Sequence, residues 1–139
     1  MTPQDQEFTY RPEIGQSCDC ARAVLASLLD LPIADVPHFA QLAREDGQFY
    51  GRINEFLEDR GFEMLWNVTP IYHLKDGVEI FHYMAGPSPR GNGIWHAVVG
   101  CNAEIAFDPH PEKTGLSGDP SRWQHSFLKK ISNDTETTI

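Results

Sequence analysis

With 139 residues, 40% of them hydrophobic and 22% charged, the chain has the size and composition of one globular domain. A chain of that length buries roughly two-thirds of its unfolded surface around a single core. A net charge of -9 and a pI near 5.0 set nucleic acid aside as the main partner, because phosphate contacts need clustered Lys and Arg, and no apolar run reaches membrane-spanning length.

Three cysteines are too few, and odd in number, for a disulfide scaffold. The first residues, MTPQDQEFTYRPE, have neither the basic start nor the apolar core of a signal peptide. The expectation is a cytoplasmic single domain over residues 1–139 with free thiols, no membrane partner and an oligomeric state left open.

Residues 1–14, with Pro3 and Pro12 among polar side chains, predict an extended lead-in over the surface. The first helix follows: Ala21, Val24, Leu25, Leu28 and Leu29 recur at helical spacing, Asp19 suits the N-cap, and Pro32 is the stop. Asp35 is placed to cap a short helix through about Ala43 with Phe39 and Leu42 in the core. Gln48 to Arg60 carries Ile53, Phe56 and Leu57 on one face, and Gly61 sits where a left-handed C-cap is wanted.

The period then changes from helical to alternating. Phe62, Met64, Trp66 and Val68 predict one strand and Val78 to Met84 a second, followed by a loop dense in Pro and Gly from Gly86 to Gly93. Ile94 to Val99 and Ile105 to Asp108 predict two further strands, the latter ended by Pro109, which has no N–H to donate. His110 to Pro120 is loop, Trp123 to Ile131 a last strand, and residues 132–139 a frayed polar tail. Helices first and antiparallel strands afterwards is the order of an α+β domain, with N-terminal helices packed on an antiparallel sheet.

Cys20 falls in the first turn of the first helix, where unpaired N–H groups and the helix dipole favour a thiolate. Nucleophilic catalysis by sulfur also needs an imidazole and a group that orients it, and His96 followed by Asp108 at the end of the next strand supplies both. The Gln16 amide and the backbone N–H of Cys20 are candidate oxyanion donors. On this reading Cys20 alkylates near pH 6 ahead of Cys18 and Cys101.

Rivals exist. Cys18-Asp19-Cys20 raises a metal or a redox pair, but zinc spacing leaves at least two residues between sulfurs, and no second ligand pair follows, so no metal is expected. Cys18 precedes the cap and misses the dipole. Cys101 falls in a tight turn. His110 competes with His96 as base, though its loop position suits a rim or substrate contact. His38, His73, His82 and His125 read as structural.

The run Asp19-Cys20-x-x-Ala23-x-Leu25, then His96-Ala97-Val98-Val99 and Asp108-Pro109, resembles papain-fold cysteine peptidases, most of all the bacterial peptidase domains that process bacteriocin leaders. The longer pattern adds Ala26-Ser27-Leu28-Leu29, Val36-Pro37, Ser88-Pro89-Arg90-Gly91 and His110-Pro111. It is similar to small uncharacterised proteins of phages and bacteria and covers residues from about 15 to 116. Ala21 stands where those peptidases usually have Gly, and Gln16 lies closer to the cysteine than their usual Gln.

The resemblance implies a papain-like core with Cys20, His96 and Asp108 as triad and Gln16 in the oxyanion position. It implies a cysteine hydrolase that cleaves a peptide, isopeptide or related amide without a cofactor, with acyl transfer as a variant on the same residues. The alternative is a non-catalytic papain-fold module, phage-encoded, that sequesters a host protein or small ligand. A chain this short predicts a shallow substrate groove rimmed by Ser88, Arg90, Gly91, Trp95 and His110, tolerant of small residues beside the cut.

The hairpin carrying His96 and Asp108 must keep both on one face, since a slip of one residue reverses a strand's faces. A three-residue loop at Gly100-Cys101-Asn102 with Asn102 left-handed meets that condition. It sets Asp108 opposite Ile94 and puts Trp95, Ala97, Val99, Ile105 and Phe107 in the core.

Overall fold

The helix α1, Cys20–Leu28, is apolar on nearly every side and is buried accordingly: Ala23, Val24, Leu25 and Ala26 are fully enclosed. Ser27 is tolerated there because its hydroxyl donates to the Ala23 carbonyl at 2.8 Å. Around it a computed structural model describes residues 1–91 and 93–131. The expected frayed tail at 132–139, and Asn92 of the Pro/Gly loop, lie outside the described residues.

Two outer helices follow, α2 (Phe39–Asp46) and α3 (Phe49–Glu58), then five strands: β1 (Phe62–Leu65), β2 (Phe81–Pro87), β3 (Trp95–Cys101), β4 (Glu104–Phe107) and β5 (Gln124–Lys130). They form one antiparallel sheet in the order β1-β5-β2-β3-β4. The chain is therefore α+β, helices first, as its sequence periodicity predicts. Among the described residues no single helix is long and apolar enough to cross a membrane.

The main core is shared between α1, Phe39, Ile53, Leu57 and the sheet face that carries Tyr83, Ala97 and Val99. The opposite face, with His82, Met84, His96 and Val98, is buried too. Gly86 belongs to β2 rather than to the loop. A Cβ there would meet the Trp123 ring at 2.7 Å, so only glycine lets the indole close on the strand.

Several local expectations change. Asp19 occupies the N-cap position of α1 but gives the helix no side-chain bond. Its buried carboxylate instead accepts from the backbone N–H groups of Glu7 and Phe8, at 2.9 and 2.8 Å, and from Arg22. The lead-in is thus a strap and not a loose surface segment. It runs back along α1, with Thr2 and Gln4 bonded to Ser27 and Gln6 N–H to the Pro109 carbonyl.

Asp35 caps nothing longer than a 3-10 turn, Ile33–Asp35, because Pro37 interrupts the run. α2 starts two residues after that proline, capped by His38, which accepts from Gln41 N–H. Leu42 faces outward, since α2 lies outside α1 and α3 and buries only its Phe39 side. β1 ends at Leu65, short of Val68, and β2 begins at Phe81, not Val78.

The β3–β4 hairpin reaches the required parity by another route. Its turn is Asn102-Ala103, both at positive φ, with Cys101 paired to Glu104 and Gly100 to Ile105. That register alone would carry Asp108 to the wrong face. The ladder then shifts, and Val99 pairs with Phe107, which leaves Ala106 as the extra residue of a β-bulge. Asp108 consequently falls beside Val98 and not Ile94, on the face of His96. Trp95 and Ile105, expected in the core, are 48% and 37% exposed.

Candidate active site

His96 Nε2 lies 2.7 Å from Asp108 Oδ1, and both side chains are buried. The carboxylate also accepts the backbone N–H groups of His110, at 2.9 Å, and Gly115, at 2.7 Å. Gly115 reaches it from a left-handed φ of 73°. Burial pushes the Asp108 carboxyl up, but His96 and those two N–H groups outweigh it and hold the group below its ordinary value. An ionised Asp108 makes Nε2 the protonated nitrogen of neutral His96 and leaves Nδ1 as the one free to take a proton.

The sulfurs of Cys18 and Cys20 are 3.4 Å apart. The S–H of Cys20 holds the Cys18 thiol down. Burial opposes, and the Cys20 backbone N–H and the charge of His96 add to the lowering, which leaves Cys18 at about 6. Cys20 moves the opposite way, well above its ordinary value, through the bond to Cys18, its own burial and the charge on Cys18, against the backbone N–H groups of Ala97 and Ala21.

The expectation of a resting thiolate on Cys20 is therefore corrected. Cys20 sits in the core cluster, and the helix-end N–H is spent on Cys18, half-buried two residues before it. The two thiols are thus shifted in opposite directions, which gives thiolate character to the outer one, Cys18.

Gln16 does not reach this place. Its amide donates to the Thr9 carbonyl at 2.7 Å, where Arg11 and Gln16 close a small bridge in the strap, so it is removed from the oxyanion role. The side-chain amide that does line the cavity shared with the thiols is Gln124.

That cavity measures about 500 Å³, in place of the shallow groove expected. Cys18, Cys20 and His96 form one end, and Tyr10, Tyr50, Trp66, Tyr83 and Trp95 line much of the rest. Phe49, Tyr50, Trp66 and Tyr83 make a continuous series of edge-to-face contacts with centroids 4.8–5.7 Å apart, and Trp66 is pinned by a bond from its Nε1 to Asn54. Among the described residues no Asp, Glu, Lys or Arg lines it.

Of the expected rim residues, Trp95 lines the cavity and Ser88, Arg90 and His110 line a small adjoining indentation with Cys18 and His96; Gly91 lines neither. His110 is buried and stands edge-on to His96 at 5.9 Å. Burial, Arg90 and His96 keep its imidazole below its ordinary value.

Sequence reasoning missed Tyr10, which lies in the strap, and Cys18 as a charged partner. It also missed the aromatic wall, whose members come from four separate segments. The spacing Cys18-x-Cys20 was the one available signal for the thiol pair. Among the described residues no three His, Cys, Asp or Glu side chains converge as metal ligands.

Comparison of the chain with protein-family models, with characterised proteins and with solved structures finds no match.

Proposed function

We propose that this chain is a papain-like cysteine hydrolase that cleaves an amide, peptide or isopeptide bond through Cys20, His96 and Asp108. The observation that carries this is the buried His96–Asp108 pair at 2.7 Å, with His96 lining the same cavity as Cys18 and Cys20, whose sulfurs lie 3.4 Å apart.

Cys20 sulfur attacks the carbonyl carbon as its proton passes by way of the Cys18 thiolate to Nδ1 of His96. The C–N bond breaks as His96 gives that proton to the departing amine. Water, deprotonated by the now neutral His96, then attacks the thioester and releases the acid, and the proton returns from His96 through Cys18 to Cys20. Asp108 keeps the imidazole in the tautomer that makes both transfers possible. Cys20 suits the attack because the more basic sulfur is the stronger nucleophile once deprotonated. Gln124 is the side-chain amide lining the cavity, and we assign it to the developing oxyanion.

A neutral, aromatic-walled cavity favours a bulky uncharged side chain on the acyl part of the substrate, in place of glycine. The test is a panel of fluorogenic peptide amides that differ only at the residue before the scissile bond. Phe or Leu preferred over Gly, Asp and Lys supports the reading; a preference for Gly sinks the pocket assignment. Absence of turnover across the panel, together with a biological effect that survives Cys20→Ala, favours a binding module instead.

A second reading makes Cys18 the attacking sulfur, since it is the less buried of the two and carries the charge. Trapping with a peptidyl vinyl sulfone and mapping the adduct distinguishes them.

A further inference from the structure

We infer that Cys18 and Cys20 form an oxidation site, a dithiol that a hydroperoxide converts to an intramolecular disulfide and a small dithiol restores. The ground is geometric. The sulfurs already touch at 3.4 Å, so closing to the ~2.0 Å of a disulfide needs a shift of about 1.4 Å between them. Only Asp19 separates them, and its carboxylate is occupied by the backbone N–H groups of Glu7 and Phe8 on the strap.

The two positions divide the labour that such chemistry needs. Cys18 is the less buried sulfur and lines both the main cavity and the indentation beside it, so a small oxidant reaches it. Its thiolate character, held by the Cys20 S–H and backbone N–H, provides the attacking species. Cys20, buried behind it, is the resolving thiol.

In the first step Cys18 thiolate attacks the outer oxygen of hydrogen peroxide. An S–O bond forms, the O–O bond breaks, and a proton completes Cys18 sulfenic acid and water. In the second, Cys20 sulfur attacks Cys18 sulfur and displaces the sulfenic oxygen as a second water, with its own proton. Two electrons leave the sulfurs and reduce one peroxide. A ring closed over a single intervening residue is small and strained, which places it among labile, reversible disulfides. Cys101 in β3 takes no part.

If the hydrolase reading holds, oxidation removes its nucleophile; the site itself does not rest on that reading. The experiment follows sulfur and not turnover. Full-length protein is treated with one equivalent of hydrogen peroxide, quenched with N-ethylmaleimide and mapped by peptide mass spectrometry, with and without dithiothreitol.

The expected result is a loss of two hydrogens confined to the peptide that contains both Cys18 and Cys20, reversed by dithiothreitol, with Cys101 still alkylated. Cys20→Ser should stop at a dimedone-reactive sulfenic acid on Cys18, and Cys18→Ser should abolish the fast oxidation. Cys101→Ser, remote from the pair, should behave as wild type. The inference is overturned if Cys101 shares the disulfide, if Cys18 proceeds to sulfinic acid in wild type, or if peroxide consumes Cys18 no faster than Cys101. Disulfide formation in a protein that hydrolyses no member of the peptide panel would sustain the inference and count against the hydrolase.

Discussion

The shared proton of the two thiols gives a rate profile that no isolated cysteine shows. With Cys18 at about 6, half of it is thiolate at pH 6, against roughly 0.3% of an ordinary cysteine near 8.5. That is a ratio of roughly 150. Lower basicity weakens the nucleophile: with a Brønsted slope of about 0.45 over about 2.5 pH units, each thiolate is roughly 13-fold slower. Cys18 should then react with iodoacetamide about tenfold faster than a free cysteine at pH 6 and about tenfold slower at pH 9. Its rate should level off above about pH 7 while that of Cys101, whose thiol burial and Glu79 push up, keeps climbing. Cys20→Ala removes the S–H that holds the charge in place and should move the Cys18 profile upward. The assay is residue-resolved alkylation by mass spectrometry across that pH range. Parallel profiles for Cys18 and Cys101, faster labelling of Cys20 at pH 6, or a Cys18 profile indifferent to Cys20→Ala would each refute the shared-charge account.

Other consequences are separable. Asp108→Asn turns an amide N–H toward one of the donors that the carboxylate accepts, so it should cost about 1–3 kcal/mol in stability as well as roughly 10²–10⁴-fold in kcat, read by urea melts and by turnover. Because the Asp108 carboxyl lies below its ordinary value, its stabilisation is present above the unfolded value of about 3.9 and lost as pH falls through the folded one. Gln124→Ala should lower kcat by about 10²–10³ with little change in folding, and an unchanged kcat would remove it from the oxyanion role. His82, fully buried and stacked on Phe127, is pushed down to about 4 by burial, by His125 and against the Ile80 carbonyl. Its contribution is whole above pH 6.5 and fades as pH falls toward 4, by up to about 3 kcal/mol, a dependence that His82→Gln should flatten in chemical melts. Ala103 holds a φ of 71° in the β3–β4 turn, so Ala103→Gly should stabilise by about 0.5–1 kcal/mol, a rise of roughly 2–5 °C in Tm.

The helices were legible because their signal is local. Ile53, Phe56 and Leu57 lie on one stripe that is buried, and Gly61 takes the left-handed φ of 82° that its place after α3 calls for. The His96–Asp108 pairing was expected on one face, and the structure has it there, but through a two-residue turn and a bulge at Ala106 that counting residues does not foresee. What escaped was competition between partners. Asp19 has the chemistry of a cap, yet two strap N–H groups and Arg22 outbid the helix for it. Gln16 is an amide upstream of a cysteine, yet the Thr9 carbonyl claims it. Cys18 was set aside for lying before the helix, although that position is where a helix-end N–H points. Of the aromatic cavity wall only Trp95 was read, since Tyr10, Tyr50, Trp66 and Tyr83 join it only through the packing of the strap, α3 and the sheet.

The bulge at Ala106 makes the hairpin a phase-setting device. From the Asn102-Ala103 turn to Asp108 the number of residues is even or odd, and only one choice faces the carboxylate toward His96; the bulge supplies the missing half-period. The phase has two interchangeable controls, the turn and the bulge. A residue inserted between Gly100 and Ile105 should part Asp108 from His96, whereas deletion of Ala106 should straighten the ladder and leave Asp108 still opposite Val98. The carboxylate's place therefore tolerates loss of the bulge residue, but not an uncompensated shift of the register at the turn.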